Sequence, residues 1–115
     1  MLNVDRYESG AVTVLRLEGD IDEDGIGALR FALTGCLQDG RCSVVLNCAA
    51  VKFVSYMGVG VFVERLRQLR EGGGDLRLAG LNLYTTRLLR MAGVQHLFQA
   101  YDAEFQAIES FRRAA

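Results

Sequence analysis

The sequence predicts one α/β domain, built on a mixed, mostly parallel β-sheet of about five strands with about four α-helices. Strand-like and helix-like segments follow one another in the order β-β-α-β-α-β-α-β-α, which is typical of parallel strands joined by right-handed crossovers. A short Ser9-Gly10 turn joins the first two strands, which favours an antiparallel hairpin there. The 115 residues contain no proline, repeat or linker, so residues 1–115 are assigned to one domain.

The first third of the chain carries the hairpin and one helix. Residues 4–8 and 11–19 are the predicted strands, and the second shows apolar residues near a two-residue period. The helix begins near Asp22, whose carboxylate can accept hydrogen bonds from the free N–H groups of the first turn. It ends at Asp39-Gly40, and its shared apolar face is formed by Ile26, Leu29, Leu33 and Leu37.

A buried strand and a second helix occupy the middle of the chain. Residues 42–48, C-S-V-V-L-N-C, form an apolar run with branched side chains, which is typical of a strand buried on both faces. The helical pattern that follows is strongest over residues 59–70 and ends at the three glycines 72–74. Its apolar residues are expected to face the sheet, and its arginines to face water: Val59, Phe62, Val63, Leu66 and Leu69, and Arg65, Arg67 and Arg70.

The last third contains a strand, a helix, a short strand and a terminal helix. Their predicted positions are residues 75–80 for the strand, 81–84 for a loop, Thr85 or Thr86 to Gly93 for the helix, 97–101 for the last strand, and Asp102 as the cap of the terminal helix. In the terminal helix, Phe105, Ile108 and Phe111 recur every three residues, which predicts a common side.

Composition argues against several classes of partner and compartment. The formal net charge of −1 gives no broad attraction to nucleic acid or to an anionic membrane. No apolar run approaches the roughly 20 residues of a membrane helix, and residues 1–7 lack the core of a signal peptide. Three cysteines without C-x-x-C spacing are expected to be buried, reduced thiols: Cys36, Cys42 and Cys48. We therefore expect a soluble cytoplasmic protein without membrane insertion.

The motifs of enzymes and cofactor sites are missing from the sequence. His96 is the only histidine, and no G-x-S-x-G motif is present. The glycines 72–74 follow a helix and precede no Lys-Ser or Lys-Thr pair, so they do not form a phosphate loop. Gly58 and Gly60 lack the third glycine of a dinucleotide fingerprint, which favours close helix–sheet contact instead. The prediction is a protein that is not an enzyme and needs no metal or cofactor.

The turn K-F-V-S-Y-M-G-V-G, residues 52–60, is the candidate functional segment. It joins a buried strand to a helix N-terminus, where open α/β sheets place their sites. Asp20 and Asp22 follow the second strand, and they are interpreted first as cap and turn residues and second as partner contacts. A nucleotide-binding or catalytic site built from Asp20, Asp22 and Asn47 is a further hypothesis, weakened by the missing phosphate loop.

Taken together, these segments resemble the STAS domain family, named for sulfate transporters and anti-sigma factor antagonists. Within this family, the chain resembles the single-domain bacterial antagonists. The resemblance covers almost the whole chain, and its segments are G-D-I-D at 19–22, V-V-L-N at 44–47, F-V-S-Y-M-G-V-G-V at 53–61, the glycine break at 72–74, R-L-A-G at 77–80, and L-L-R-M-A-G-V-Q-H-L-F at 88–98. The resemblance implies a STAS fold over residues 1–115.

The family's central turn reads F-x-D-S-S-G-L-G, and this chain departs from it. In the family, the second serine is phosphorylated by a serine kinase that is also the anti-sigma factor. The unphosphorylated antagonist binds that kinase and frees the sigma factor. Here Met57 stands at the phosphorylated position, and it has no hydroxyl group. Ser55, at the family's aspartate, keeps the capacity to cap the helix, and Ser55 or Tyr56 offers a shifted phosphorylation site.

The resemblance implies a non-enzymatic module of bacterial transcription regulation that docks a partner-switching kinase or anti-sigma factor. The predicted partner-binding residues are Asp20, Asp22, Ser55, Tyr56, Met57, Gly58 and Val59. The alternative is a STAS component of a signalling scaffold or of a transporter-associated complex. A neighbouring kinase gene would favour the first function, and a neighbouring transport system the second. A homodimer stays open, because the sequence does not give the oligomeric state.

Overall fold

A computed structural model describes residues 1–113 and confirms the predicted order of elements. The last two residues of the predicted domain, 114 and 115, lie outside the described residues. The elements are β1 (Leu2–Ser9), β2 (Val12–Ile21), α1 (Glu23–Gln38), β3 (Ser43–Val54), α2 (Tyr56–Glu71), β4 (Asp75–Ala79), α3 (Leu83–Met91), a 3-10 turn (Gln95–Leu97), β5 (Ala100–Tyr101) and α4 (Glu104–Arg113).

The five strands form one mixed sheet in the order β1-β2-β3-β4-β5. Strands β1 and β2 pair antiparallel across the predicted hairpin, and the remaining neighbours pair parallel. The parallel strands β2, β3 and β4 therefore point their carboxyl ends to one edge of the sheet. Helices α1, α2 and α3 each begin at that edge, because each follows one of these strands.

Alternate side chains of the strands face two hydrophobic clusters on opposite sides of the sheet. Val44 and Leu46 of β3 belong to the larger cluster, which packs against α1, α2 and α3. Val45 faces the smaller cluster, to which α4 contributes Ala107 and Ile108. The three β3 residues have no exposed surface, which confirms the predicted strand buried on both faces.

Strand β3 runs to Val54, well beyond the predicted end at residue 48. Its extra residues pair with the end of β2, where Asp20 lies beside Phe53. The prediction ended β2 at Gly19, but the chain continues as a strand through an irregularity in register. Gly19 has a φ of +116°, and a Cβ there would lie 2.2 Å from the carbonyl oxygen of Met1. Glycine therefore allows the strand to continue where it would otherwise end.

Helices α2 and α3 begin earlier than predicted. The helical pattern of α2 was strongest from Val59, whereas the helix starts at Tyr56, directly after the cap implied for Ser55; α3 starts at Leu83. The predicted cap of α3 at Thr85 or Thr86 is wrong, because Asn82 is the cap. The residues of each helix that face the core start late in its first turn, at Gly58 in α2 and Thr85 in α3, so the core-facing pattern gives a late boundary. Strand β5 is shorter than predicted, since Leu97 ends a 3-10 turn and residues 98 and 99 have no regular structure.

Two predicted helix faces are wrong in part. In α4, Ile108 is buried and Phe111 packs against the smaller cluster, but Phe105 is 68% exposed. Six residues turn a helix through about 1.7 turns, so the side chains of Phe105 and Phe111 point in different directions. In α2, Arg65 was expected in water, yet most of its side chain is buried and its Nη1 donates to Gln68 Oε1 at 2.8 Å.

The cysteines are free thiols, as predicted. Cys36 and Cys48 are buried and Cys42 is partly buried. Burial raises the pKa of the Cys36 thiol and raises that of Cys48 to about 12. Both thiols therefore stay protonated and unreactive near neutral pH.

Residues 1–113 contain neither a candidate membrane span nor a candidate metal cluster. Among these residues, no helix has both the length and the hydropathy to cross a lipid bilayer. Over the same range, no three histidine, cysteine or acidic side chains are grouped so that they could hold a metal ion.

Candidate functional site

The N-termini of α1, α2 and α3 form the edge where the parallel strands end. Each helix is preceded by a polar residue in extended conformation whose side chain accepts a hydrogen bond from the first turn. Asp22 Oδ1 accepts from the Gly25 N–H at 3.0 Å, and Ser55 Oγ accepts from the Gly58 N–H at 3.1 Å. Asn82 Oδ1 does the same for the Thr85 N–H at 2.8 Å. These contacts confirm the capping roles predicted for Asp22 and Ser55.

Gly58 seats the N-terminus of α2 directly on strands β2 and β3. A Cβ at Gly58 would lie 2.7 Å from Ile21 Cγ2 and 3.0 Å from Val54 Cγ1, which is too close for a side chain. The Ser55 N–H also donates to the Ile21 carbonyl at 2.9 Å, so the turn is held by its backbone as well. The close helix–sheet contact predicted for Gly58 is confirmed. The same prediction for Gly60 is wrong, because a Cβ there would meet nothing within 4 Å.

The predicted partner-binding residues of this turn differ in accessibility. Tyr56 is 61% exposed and Met57 is 56% exposed, whereas Gly58 and Val59 are buried. Ser55 is half-buried beneath its own capping contact. Any direct contact with a partner at this turn therefore falls to Tyr56 and Met57, while Gly58 and Val59 fix their position.

Three apolar side chains at the same edge were missed by the sequence analysis as binding residues. Phe53, at the end of β3, stacks on Tyr84 of α3 with ring centroids 5.8 Å apart and an interplanar angle of 26°. Leu83, beside Tyr84, is exposed. We call the five residues Phe53, Tyr56, Met57, Leu83 and Tyr84 the apolar edge. The available signal is the pair Leu83-Tyr84 directly after Asn82, a residue that favours the cap position of a helix. The loop predicted for residues 81–84 is therefore wrong.

Asn82 connects the two halves of the apolar edge. While its Oδ1 caps α3, its Nδ2 donates to the carbonyls of Val51 at 3.3 Å and Lys52 at 3.2 Å. The start of α3 is thus tied to the last residues of β3, next to Phe53. A surface held in place in this way loses little conformational entropy when a partner binds it.

Acidic residues border the apolar edge at the start of α1. Asp20 is half-buried and lies beside Phe53 in the β2–β3 register. Glu23 and Asp24 are exposed in the first turn of α1, where carboxylates are stabilised by the positive end of the helix dipole. With Asp22 they give this border four carboxylates, and it therefore suits a partner with basic groups.

The residues of the hypothetical nucleotide site do not come together. Asn47 pairs with Arg16 in the β2–β3 register, whereas Asp20 pairs with Phe53, six residues further along β3. At about 3.3 Å per residue, that spacing is about 20 Å. Both polar atoms of Asn47 are also used, since Nδ2 donates to Glu104 Oε1 and Oδ1 accepts from the Ala49 N–H. The arrangement gives no support to this hypothesis.

A second polar cluster, on the other side of the sheet, holds α4 in place. Arg16 donates to both carboxylate oxygens of Glu104 at 2.9 Å, and the Tyr7 hydroxyl and Asn47 donate to the same carboxylate. The Arg16 hydrogen bond, with those from Tyr7 and Asn47, lowers the pKa of Glu104 to about 2. Burial and the bond to Glu104 raise the pKa of Tyr7. These contacts are structural, because the cluster lies away from the apolar edge.

We expect Glu104→Gln to lower the free energy of unfolding by about 1 kcal/mol at neutral pH, because the ion pair between Glu104 and Arg16 is lost. The loss is no larger because the Arg16 side chain is partly solvated. The native pKa is depressed, so the ionised carboxylate contributes its full stability above the unfolded pKa of about 4.3. That contribution is lost as pH falls from there to about 2. Urea unfolding at neutral and acidic pH should show the difference from the native chain shrinking with acid.

Glu109→Gln is the matched control for this prediction. Glu109 is on the same helix, and among residues 1–113 its carboxylate pairs only with the exposed Arg112, at 3.1 Å. Glu109→Gln is expected to change the free energy of unfolding by less than about 0.5 kcal/mol. Equal losses for the two variants, or a Glu104→Gln loss that persists unchanged at low pH, would contradict a specific role for the Glu104 cluster.

Comparison with known proteins adds a family match to this geometry. The STAS domain family model matches residues 3–107. An anti-sigma F factor antagonist of Paenibacillus polymyxa is 26% identical over 108 residues, which cover 93% of this chain and 92% of the relative.

Two solved structures share the fold. An anti-sigma factor antagonist from Mycobacterium paratuberculosis superposes with a TM-score of 0.88 at 20% identity, covering 97% of this chain and 95% of its own. The Bacillus cell fate determinant SpoIIAA in its phosphorylated form superposes with a TM-score of 0.76 at 19% identity, covering 95% and 99%. At these identities the likeness concerns the fold alone.

Proposed function

The chain belongs to the STAS domain family, whose anti-sigma factor antagonists are binding proteins rather than enzymes, and from this premise we propose that it docks a partner-switching kinase or anti-sigma factor. Docking occurs through the turn at residues 55–59 and the rest of the apolar edge. We further infer that the docking is not controlled by the phosphorylation usual in the family, because the phosphorylated position is Met57.

One observation carries this proposal: large apolar side chains are exposed at a helix N-terminus that the fold holds rigidly. Tyr56 and Met57 project from the first turn of α2, while Ser55 and Gly58 fix the turn against β2 and β3. Exposed aromatic and methionine side chains on a fixed backbone are typical of binding surfaces. The carboxylates at the start of α1 add an acidic border that favours a partner with basic groups.

The relatives supply the class of partner. The Paenibacillus relative and an anti-sigma-B factor antagonist of Staphylococcus aureus, 25% identical over 101 residues, are both named for antagonism of an anti-sigma factor. An anti-sigma factor, or a kinase that acts as one, is therefore the proposed partner of this chain. We place the encounter in the cytoplasm, where the three cysteines of the described chain would stay reduced.

Ser55 and Tyr56 remain candidates for a shifted phosphorylation. Tyr56 is accessible. The Ser55 hydroxyl accepts a hydrogen bond from the Gly58 N–H, and this bond would have to break before Ser55 could reach the active site of a kinase. Mass spectrometry of protein from its native cell decides this point. Unmodified peptide over residues 54–65 in every growth condition would exclude the shifted site.

Affinity capture from the native cell tests the docking. The native chain is expected to recover a kinase-like or anti-sigma protein, and Met57→Asp to recover at least about tenfold less, because it places a charge within an apolar contact. Met91→Asp is the matched control, since Met91 is also exposed but lies at the far end of α3. The proposal fails if no such partner is recovered, or if all three proteins recover it equally.

A further inference from the structure

The carboxamide of Asn82 performs two separate tasks with its two polar atoms. Its Oδ1 caps α3 by accepting from the Thr85 N–H at 2.8 Å, and its Nδ2 donates to the carbonyls of Val51 at 3.3 Å and Lys52 at 3.2 Å. Aspartate and serine cap a helix about as well, but neither carries the NH2 group of an amide. The cap alone therefore does not require asparagine, whereas the contact with β3 depends on Nδ2.

This donor stands where strand β3 has run past its neighbour β4. The pairing of the two strands ends at Asn47, whereas β3 continues to Val54. Beyond Asn47, the two β3 carbonyls that accept from Asn82 meet its Nδ2 rather than another strand on that side. The Asn82 side chain thus fixes the start of α3 against the extension of β3 that carries Phe53.

The two stacked rings of the apolar edge lie next to this contact. Phe53 directly follows Lys52, and Tyr84 comes two residues after Asn82. The ring centroids are 5.8 Å apart, yet Phe53 is 40% exposed and Tyr84 is 47% exposed. A stacked pair that is so open to water adds little stability by itself. The backbone under each ring must therefore set their separation, and the hydrogen bonds of Asn82 join those two stretches of backbone.

We propose that Asn82 is a positioning residue for partner docking, and that it acts through Nδ2 rather than through its cap. This inference rests on the docking function proposed above. With the Nδ2 contacts in place, Phe53 and Tyr84 are presented to a partner as one fixed pair. Without them, the cap still forms α3, but the helix start is free to move away from β3. Only molecules with the pair assembled then bind, and the apparent dissociation constant rises by the inverse of their fraction.

Asn82→Asp separates the two tasks of the side chain. The aspartate keeps an oxygen for the Thr85 N–H and suits the positive end of the helix dipole. It has no donor, and its second oxygen would face the carbonyls of Val51 and Lys52. Asn82→Ser also keeps a cap and lacks the amide, but it adds no charge. Each variant is expected to weaken docking about tenfold, measured by titration calorimetry with the captured partner, while the helix content by circular dichroism stays that of the native chain.

Thr86→Val is the matched control at the same helix start. The Thr86 hydroxyl donates to the Asn82 carbonyl at 3.0 Å, so the variant removes a hydrogen bond of this turn without touching β3. It should change the affinity for the partner by less than about twofold. Nuclear magnetic resonance of the free chain gives a readout that needs no partner. Contacts between the Phe53 and Tyr84 rings should be kept in Thr86→Val and lost in both Asn82 variants.

A double-variant cycle with Tyr84 shows whether Asn82 acts through the ring pair. Tyr84→Ala alone is expected to weaken docking about tenfold or more. Asn82→Asp added to Tyr84→Ala should change the affinity by less than about threefold further, because the pair is already lost. A role of Asn82 in general stability would instead give losses that add.

Three results would overturn the proposal. They are ring contacts that persist in both Asn82 variants, docking by these variants that is as tight as by Thr86→Val, and additive losses in the cycle with Tyr84→Ala. If the native chain captures no partner, docking itself is overturned, and Asn82 is left with a structural role that the ring contacts alone report.

Discussion

Met57→Ser is expected to make this protein switchable by phosphorylation, if its partner is the kinase proposed above. The substitution returns a hydroxyl to the position at which the STAS antagonists carry their phosphorylated serine. With partner kinase and ATP, the γ-phosphoryl group passes to the new hydroxyl and ADP leaves. The native chain, with Met57, offers the kinase no hydroxyl at that position.

Phosphorylation at this position is expected to weaken docking roughly 100-fold. The phosphate adds nearly two negative charges in the first turn of α2, where the helix dipole stabilises it within the folded chain. The same charges oppose binding, because they replace an exposed apolar side chain beside an acidic border. Helix formation should therefore be unaffected while association is lost.

Phosphate incorporation and binding are measured on the same samples, with mass spectrometry locating the modified residue. Gly60→Ser is the matched control, because it places a serine three residues further along, at an exposed helix position with open space around it. Modification of the native chain to the same extent as Met57→Ser would contradict the inferred loss of the switch. Unchanged binding by the phosphorylated variant would contradict docking through the first turn of α2.

Gly58→Ala is expected to lower the free energy of unfolding by about 2 kcal/mol, whereas Gly60→Ala should raise it by about 0.5–1 kcal/mol. The two glycines are in the same helix, and both substitutions add one methyl group. At Gly58 that methyl would overlap Ile21 and Val54, and at Gly60 it would enter open space. Alanine also favours a helix over glycine, so only the contact with the sheet separates the two outcomes.

Denaturant unfolding of the two variants beside the native chain checks this prediction. The difference between them, about 3 kcal/mol, is large against the error of the method. Binding gives a second readout, since Gly58→Ala must tilt the first turn of α2 and displace Tyr56 and Met57. If the two variants were equally stable, α2 could shift on the sheet at little cost to make room for the added methyl group. Gly58 would then not fix the turn.

The element order could be predicted because each element carries its own periodic or apolar pattern. Boundaries could not be predicted where the controlling contact is distant in sequence. Strand β3 extends past residue 48 because it pairs with the end of β2. The apolar run of residues 42–48 does not predict that pairing. Likewise, Asn82 begins α3 through a contact with the Thr85 N–H, while its apolar pattern starts later.

The candidate site was predictable as a turn but not as a surface. The sequence placed Ser55 as a cap and Gly58 as a close contact, because both follow from local backbone chemistry. It gave no sign that Phe53 stacks on Tyr84, since that pair depends on how α3 is tied to β3 through Asn82. It also treated Gly60 like Gly58, although only the packing of α2 on the sheet distinguishes them.

The exposed tyrosines of the apolar edge give the chain a built-in optical reporter. The sequence contains four tyrosines and no tryptophan, so ultraviolet emission comes from tyrosine alone. Two of them, Tyr56 and Tyr84, lie on the apolar edge. Tyr7 lies on the other side of the sheet, where its hydroxyl donates a hydrogen bond to the Glu104 carboxylate. A partner that carries tryptophan would therefore accept energy from tyrosines at the interface. Unlabelled protein is sufficient to follow such binding in real time.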